Sequence, residues 1–309
     1  MSILVRLKNT YKYGGVKEVL RKTSTLAIYT VMDKLIVREV KRAPLEYGLT
    51  KIHRKEQIIV SLTSFPKRFP QLDLCLKSLV IQHFKPNKII VYLGSDSIRE
   101  KLTESMLKYE KYGVEYRFDE KENLMPHKKY FYAMQEFPDA VIVTADDDVI
   151  YPRDWLKSLY QSYKKYPNAV SARRVHLMKR NGRKLLPYDH WEDQCRRIKT
   201  PSMCLIATGN SGVLYPPHCF DNSAFDIEGI KKTSLRADDI WLKCIEVKNR
   251  VPVVWVPNWK VMLPEIDSLD NEKLSDENVF TGTNDEVLQA VMAYLCLQVT
   301  DFFKLSDIE

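Results

Sequence analysis

The stretch Val141-Ile142-Val143-Thr144-Ala145-Asp146-Asp147-Asp148, running on into Val149-Ile150-Tyr151-Pro152, decides the fold. Its apolar, β-branched part reads as a strand buried on both faces, the kind that belongs to a parallel sheet. Three carboxylates end it, and ligands of open α/β sheets gather at the carboxyl ends of such strands. Adjacent carboxylates repel one another unless a cation neutralises them. Hard oxygen donors suit magnesium or manganese bound together with substrate phosphates, so Asp146, Asp147 and Asp148 predict a divalent metal beside a nucleotide diphosphate. The competing reading is an acidic turn in which Asp148 or Asp154 caps the following helix.

Upstream, strands alternate with helices. Strands are expected over 58–62, 88–93, 114–118 and 140–144, with helices over 72–83, 98–112 and 127–137. That alternation predicts βαβ units with right-handed crossovers around a mainly parallel sheet flanked by helices. Downstream the spacing predicts a helix over 155–166, a strand over 169–178, a polar excursion over 179–200, and a strand over 203–208. A turn at 209–212, strands over 213–217 and 251–256, a helix over 235–247 and a terminal helix over 285–305 follow.

The net charge of +8 is unevenly placed: residues 1–55 hold 13 Lys and Arg against 4 Asp and Glu, and the other 254 residues hold 35 against 36. A nucleic-acid-binding domain would spread a basic patch over its folded surface, so no nucleic-acid partner is expected. A basic leader ahead of a neutral domain instead points to an anionic membrane surface or an acidic partner. Apolar residues Val16, Val19, Leu20, Ala27, Val31 and Leu35 predict a helix over 16–42. Its stripe either lies in a bilayer interface or packs on the main domain or a second subunit. No apolar run reaches membrane-spanning length, and six scattered cysteines with no CxxC pair fit a reduced, cytoplasmic protein peripheral to the inner membrane face. Three segments are expected: a basic helical extension over 1–55, a catalytic domain over 56–265, and a C-terminal loop and helix over 266–309.

The ordered series Ile58–Ser64, Lys128-Lys129, Ala145–Pro152, Thr208–Pro216 and Ala237-Asp238-Asp239-Ile240-Trp241 resembles bacterial glycosyltransferases of the GT-A type, family 2-like, over about residues 56–265. The resemblance implies a Rossmann-like GT-A sheet with a nucleotide-sugar donor over its first half, the acceptor over its second, and a DxD motif holding Mn2+ or Mg2+ against the diphosphate. By position, Asp146 meets the ribose or donor sugar and shares the metal with Asp148, while Asp147 joins the donor site. Thr63, Ser64 and Arg68 lie where the nucleoside enters, with a simple turn as the alternative. Asp96 is placed for base or ribose contact or for a helix cap, and Lys129 near the diphosphate, with Lys128 beside it a solvated charge. Asp239 is expected as the base that deprotonates the acceptor hydroxyl, with Asp238 orienting; a plain helix-capping pair is the alternative.

Gly209, Asn210, Ser211 and Gly212 either let backbone approach the sugar or make a hairpin turn. Tyr188, His190 and Trp191 offer faces for a sugar ring or belong to the core. Of Arg173 and Arg174 only one can face the cleft. The resemblance implies a third metal ligand, often a histidine, near the end of the domain; no histidine follows Trp255, so either Asn284, Asp285 or water substitutes, or the metal is held mainly by Asp148 and the diphosphate. The implied activity is inverting transfer of a sugar, UDP-linked in the favoured case, to a hydroxyl of a cell-surface or lipid-linked glycan. A nucleotidyltransferase would be expected to show a glycine-rich loop after the first strand, which Ser61–Pro70 lacks. A non-catalytic glycan-binding scaffold is the third reading.

Overall fold

A computed structural model describes residues 27–119, 123–258, 262–266 and 283–303. A seven-stranded sheet forms its centre, in the order β11 (Val253–Trp255), β5 (Val170–Ala172), β10 (Val213–Tyr215), β4 (Val141–Ala145), β1 (Ile58–Ser64), β2 (Lys88–Leu93) and β3 (Val114–Phe118). β10 runs antiparallel to both neighbours, and every other pairing is parallel. The expected α/β fold with a mainly parallel sheet is present.

Alternation along the strands sorts the core into two layers. Ile58, Val60 and Leu62 of β1, with Val141 and Val143 of β4, pack with helices α2 (Leu72–Val80) and α5 (Trp155–Lys165). On the other face Ile59, Ile90 and Ile142 meet Ala133 of α4 (Lys128–Glu136). Farther along, α7 (Asp238–Lys248) supplies Trp241, Cys244 and Ile245 to a second large core, closed by Leu288 and Val291 of α8 (Thr283–Tyr294) and by Phe302. All but Cys219 and Cys296 of the cysteines are buried, and all six are free.

Several elements depart from their expected bounds. The segment 98–112 forms no continuous helix but short turns around α3 (Glu104–Leu107), because Thr103 caps a new start by accepting from the Met106 N–H. A hydroxyl there competes with helix continuation. The expected strand 169–178 is two, β5 and β6 (Val175–Leu177), with Arg173 and Arg174 at the corner where the chain leaves the main sheet. β6 pairs antiparallel with β9 (Leu205–Ala207), and the polar excursion carries a two-stranded hairpin of β7 (Arg180–Asn181) and β8 (Lys184–Leu185). A short helix, α6 (Ile227–Thr233), precedes α7 and has no counterpart in the sequence reading.

Helix α1 occupies residues 27–42; the expected part over 16–26 lies outside the described residues. Ile36, Val40 and Ala43 are buried against Ile81 and Ile150, so one face packs on the main domain. Among the described residues no helix is long and apolar enough to cross a membrane.

Candidate active site

Of the three aspartates that end β4, Asp147 and Asp148 share Arg68 and Asp146 pairs with Lys129. Asp147 turns back under the sheet, where Ser64 Oγ donates to Oδ2 at 2.6 Å and Arg68 Nη1 to Oδ1 at 2.5 Å. Burial raises its pKa, opposed by Arg68 and Ser64. Ser64 and Arg68 thus fasten the loop after β1 to the end of β4. Arg68 Nη1 also lies 2.9 Å from Asp148 Oδ2. Burial, reinforced by Asp146, Asp147 and Glu265, still lifts the Asp148 carboxyl to about 6. Neither Asp148 nor Asp154 makes a side-chain cap on α5, and Asp154 pairs with His83 instead.

Asp146 faces the opposite way, toward the start of α4. Lys129 Nζ donates to Asp146 Oδ1 at 2.8 Å and lies 3.0 Å from Asp238 Oδ2. The Lys129 side chain is 7% exposed. Burial opposes its charge, yet Asp146, Asp238 and Asp239 together hold the ammonium well above the ordinary lysine value. Ser61 Oγ donates to the Lys129 carbonyl, which fixes the first turn of α4 on β1.

Asp238 and Asp239 open α7, but neither caps it; Ala237 holds that position. Their environments differ. Burial acts to raise Asp238, but Lys129 and then His127 overcome it and keep the carboxyl below its usual range. Asp239 accepts the Gly209 N–H at 3.1 and 3.2 Å. Burial and the neighbouring Asp238 charge nevertheless push it up to about 8. Neighbouring carboxyls whose affinities for a proton are driven apart are the arrangement that divides acid–base roles. His127 is itself buried, bonded to the Ser234 carbonyl and Tyr130, and pushed down by burial.

Gly209 lies between the two acidic groups. A Cβ there would stand 3.1 Å from Lys129 Nζ and 3.4 Å from both Asp146 Oδ2 and Asp239 Oδ1. Residues 209–211 form a 3-10 turn joining β9 to β10, which belong to different sheets, so the hairpin alternative does not hold. Gly212 has φ of 91° and its Cβ would stand 2.5 Å from the Trp155 indole, whose N–H donates to the Ser211 carbonyl. Asn210 Nδ2 donates to Glu265 Oε1.

Tyr188 is half-buried, close enough to Asp239 and Arg174 for their charges to act on its phenol. Trp191 is buried, lies against Tyr188 in a tilted ring pair and donates its N–H to the Leu186 carbonyl, so it supports Tyr188 from within the core. Arg174 lies beside Tyr188 and pairs with Asp193, whereas Arg173 is buried and donates to Ser158 on α5. Arg174 is therefore the arginine on the cleft side. Thr63 donates to the Tyr92 carbonyl and is committed to the sheet. Asp96 is exposed, accepts from Ser97 and caps no helix.

At the site the sequence reading misplaces Lys128 and misses Glu265. Lys128 is buried, not solvated; its Nζ donates to Asn123 at 2.8 Å and senses Asp96, Asp119 and Asp147. Glu265 pairs with Val149 as an isolated bridge and reaches the Asp148 side. Asp285 turns elsewhere and accepts the Tyr188 N–H. Glu265 had no local signal, because a single bridge leaves no periodicity to read.

Residues 63–216 match the family described as Glycosyl transferase family 2. No curated protein matches the chain in sequence. Among solved structures, the mannosyltransferase PcManGT from Pyrobaculum calidifontis, in complex with GDP-Man and Mn2+, is similar at 12% identity and a TM-score of 0.43, over 91% of this chain and 82% of its own. A 4-diphosphocytidyl-2C-methyl-D-erythritol synthase gives 10% identity and 0.41, over 73% and 97%. A CMP:2-keto-3-deoxy-manno-octonic acid synthetase complexed with CTP gives 8% and 0.41, over 65% and 89%.

The site has carboxylate donors for a divalent cation in Asp146 and Asp148, whose side chains are 24% and 31% exposed. Among the described residues no three His, Cys, Asp or Glu side chains form a metal-holding group. Each carboxylate offers hard oxygen donors of the type that holds magnesium or manganese together with substrate phosphates and water, while Lys129 and Arg68 occupy one oxygen of each.

Proposed function

We propose that this glycosyltransferase domain performs inverting transfer of a sugar from a nucleotide-sugar donor, UDP-linked, to a hydroxyl of a cell-surface or lipid-linked glycan. The donor diphosphate lies at the ends of β1 and β4, between Arg68 and Lys129. Asp148 and Asp146 would hold Mn2+ or Mg2+, which when bound supplies a Lewis acid against the charge on the departing diphosphate. The acceptor enters on the other side of Gly209, along Asn210, Tyr188 and Arg174. Its hydroxyl oxygen attacks the anomeric carbon, Asp239 takes the hydroxyl proton, and the bond to the diphosphate breaks with its electron pair leaving on the phosphate oxygen. Asp238, held ionised by Lys129, stays charged beside it and keeps the proton affinity of Asp239 high. Peripheral placement on the cytoplasmic membrane face suits a lipid-linked acceptor.

The observation that carries this reading is geometric: Asp239 accepts the Gly209 N–H at 3.1 and 3.2 Å and stands across Gly209 from Asp146, where burial and the Asp238 charge raise its proton affinity. A base poised near the working pH is the most effective kind. The test is slow transfer of the donor sugar to water by wild type and Asp239→Asn. A fall of about 10²- to 10⁴-fold is expected for loss of a general base, with nucleotide-sugar binding retained. Equal rates in both proteins refute the assignment.

A further inference from the structure

Away from the carboxylate cluster, a cavity of about 760 Å³ lies between α1 and residues 262–265. Lys34, Arg38, Lys41 and Arg42 line it, over an apolar floor that includes Val37 and Leu263. Asp33 and Glu265 also reach its wall, leaving cations in excess. Among the described residues, none of the four cations is held in an ion pair, and all four are exposed. Four cations that repel one another around an apolar floor favour an occupant that is anionic at one end and apolar elsewhere.

The same helix shows a second apolar face. Ile28, Val31 and Leu35 are each 57% exposed, and their spacing places them on one side of α1. Ile36, Val40 and Ala43 already fill the inner side, so this outer stripe is not needed for packing. Arg38 and Arg42 follow it at helical spacing and border it with positive charge. An exposed apolar stripe edged by cations matches the boundary of an anionic bilayer, where aliphatic side chains enter the acyl region and cations meet phosphate.

We propose that α1 and residues 262–265 form a headgroup site for an anionic phospholipid, which seats the protein on an anionic membrane surface. The groove is fastened to the acidic strand end, because Ile150 N–H donates to the Pro264 carbonyl at 2.9 Å and Ile266 N–H to the Asp148 carbonyl at 2.7 Å. Seating α1 on lipid therefore brings the carboxylate cluster to the membrane, which deepens the lipid-linked acceptor reading and rests on it only for that consequence.

The experiment is flotation of the full chain with vesicles of phosphatidylcholine alone or mixed with phosphatidylglycerol, with no sugar donor present. Binding to the anionic vesicles only, weakened by salt, is expected. Lys34→Ala with Arg38→Ala should lower partition about 30-fold at low salt, at roughly fivefold for each cation near an anionic surface. Val31→Ser with Leu35→Ser should lower the binding that persists at high salt. Equal binding to neutral and anionic vesicles, or full binding by both double variants, overturns the proposal. Displacement from vesicles by inorganic phosphate overturns the lipid assignment in favour of a soluble phosphate site. Nucleotide-sugar binding, measured in parallel on the same variants, should be unchanged, so a failure here is distinct from a failure of the transferase reading.

Discussion

Replacing Lys129 by methionine keeps the length and apolar stem of the side chain and deletes only its charge. Two ion pairs, at 2.8 and 3.0 Å, lose their cation. Removing one partner of a buried pair costs about 3–5 kcal/mol, because the remaining charge stays buried and unpaired. For a chain of this size that corresponds to a fall in Tm on the order of 10 °C. The pH dependence follows from the directions of the shifts. Asp238, held below its usual value, contributes stability above the ordinary carboxylate pKa and loses it as pH falls. Lys129, held above its usual value, contributes below the ordinary lysine pKa and loses it only as pH rises through its higher folded value. Both contributions are full between about pH 5 and pH 10. In the variant, protonation of the abandoned carboxylates relieves the repulsion, and acid makes this easier. Thermal melts in chelator at pH 8 and pH 5 should therefore show a large deficit at pH 8 that narrows at pH 5. A deficit under about 2 °C at pH 8, or one equal at both values, would refute the reasoning that charge compensation by Lys129 holds this cluster together.

Asp239→Asn should raise Tm at pH 9 relative to wild type, because a carboxyl whose folded pKa is lifted to about 8 withdraws stability once pH exceeds its unfolded value; a lower Tm at pH 9 contradicts the shift. In wild type, transfer to water should increase with pH through the region near 8 as Asp239 ionises, and a bound divalent cation should move that rise to lower pH; a rate flat from pH 6 to 9 counts against Asp239 as base. Gly212→Ala meets both a left-handed φ of 91° and the Trp155 indole at 2.5 Å, so it should destabilise by about 2–4 kcal/mol, read as a lower urea midpoint. Lys243→Met breaks the fully buried Lys243–Glu246 pair, at 3.3 Å. It should cost about 3–5 kcal/mol while leaving the nucleotide affinity of the folded protein unchanged.

Much of the fold is legible because the physics is local. β1, β2 and β4 are apolar runs whose alternate residues fill two cores, and the three aspartates stand out only because such a strand leads into them. The places that escape are decided by single local caps or by contacts distant in sequence. Thr103 interrupts an otherwise helical pattern, Arg173 and Arg174 mark a sheet change invisible to periodicity, and α6 is short with Gly229 inside it. The site shows the same division. Asp239, Asp146 and Lys129 were named from the chain and come together around Gly209. Asp147, Ser64 and Arg68 also come together, but bonded to one another, and that closure could be seen only once β1 and β4 lay side by side. Trp191 could not be separated from core by type, since a tryptophan beneath a sugar and one beneath a tyrosine look alike in sequence.

The most direct test of the central claim is calorimetric titration of the purified protein with UDP-, GDP- and dTDP-sugars, with and without Mn2+, in wild type and Asp148→Ala. Binding of UDP-sugars that requires the metal and is lost in the variant is the predicted result. Metal-dependent binding of GDP- or dTDP-sugars alone would contradict the UDP assignment. Binding of no nucleotide sugar by a folded protein would contradict the placement of a donor site at the ends of β1 and β4.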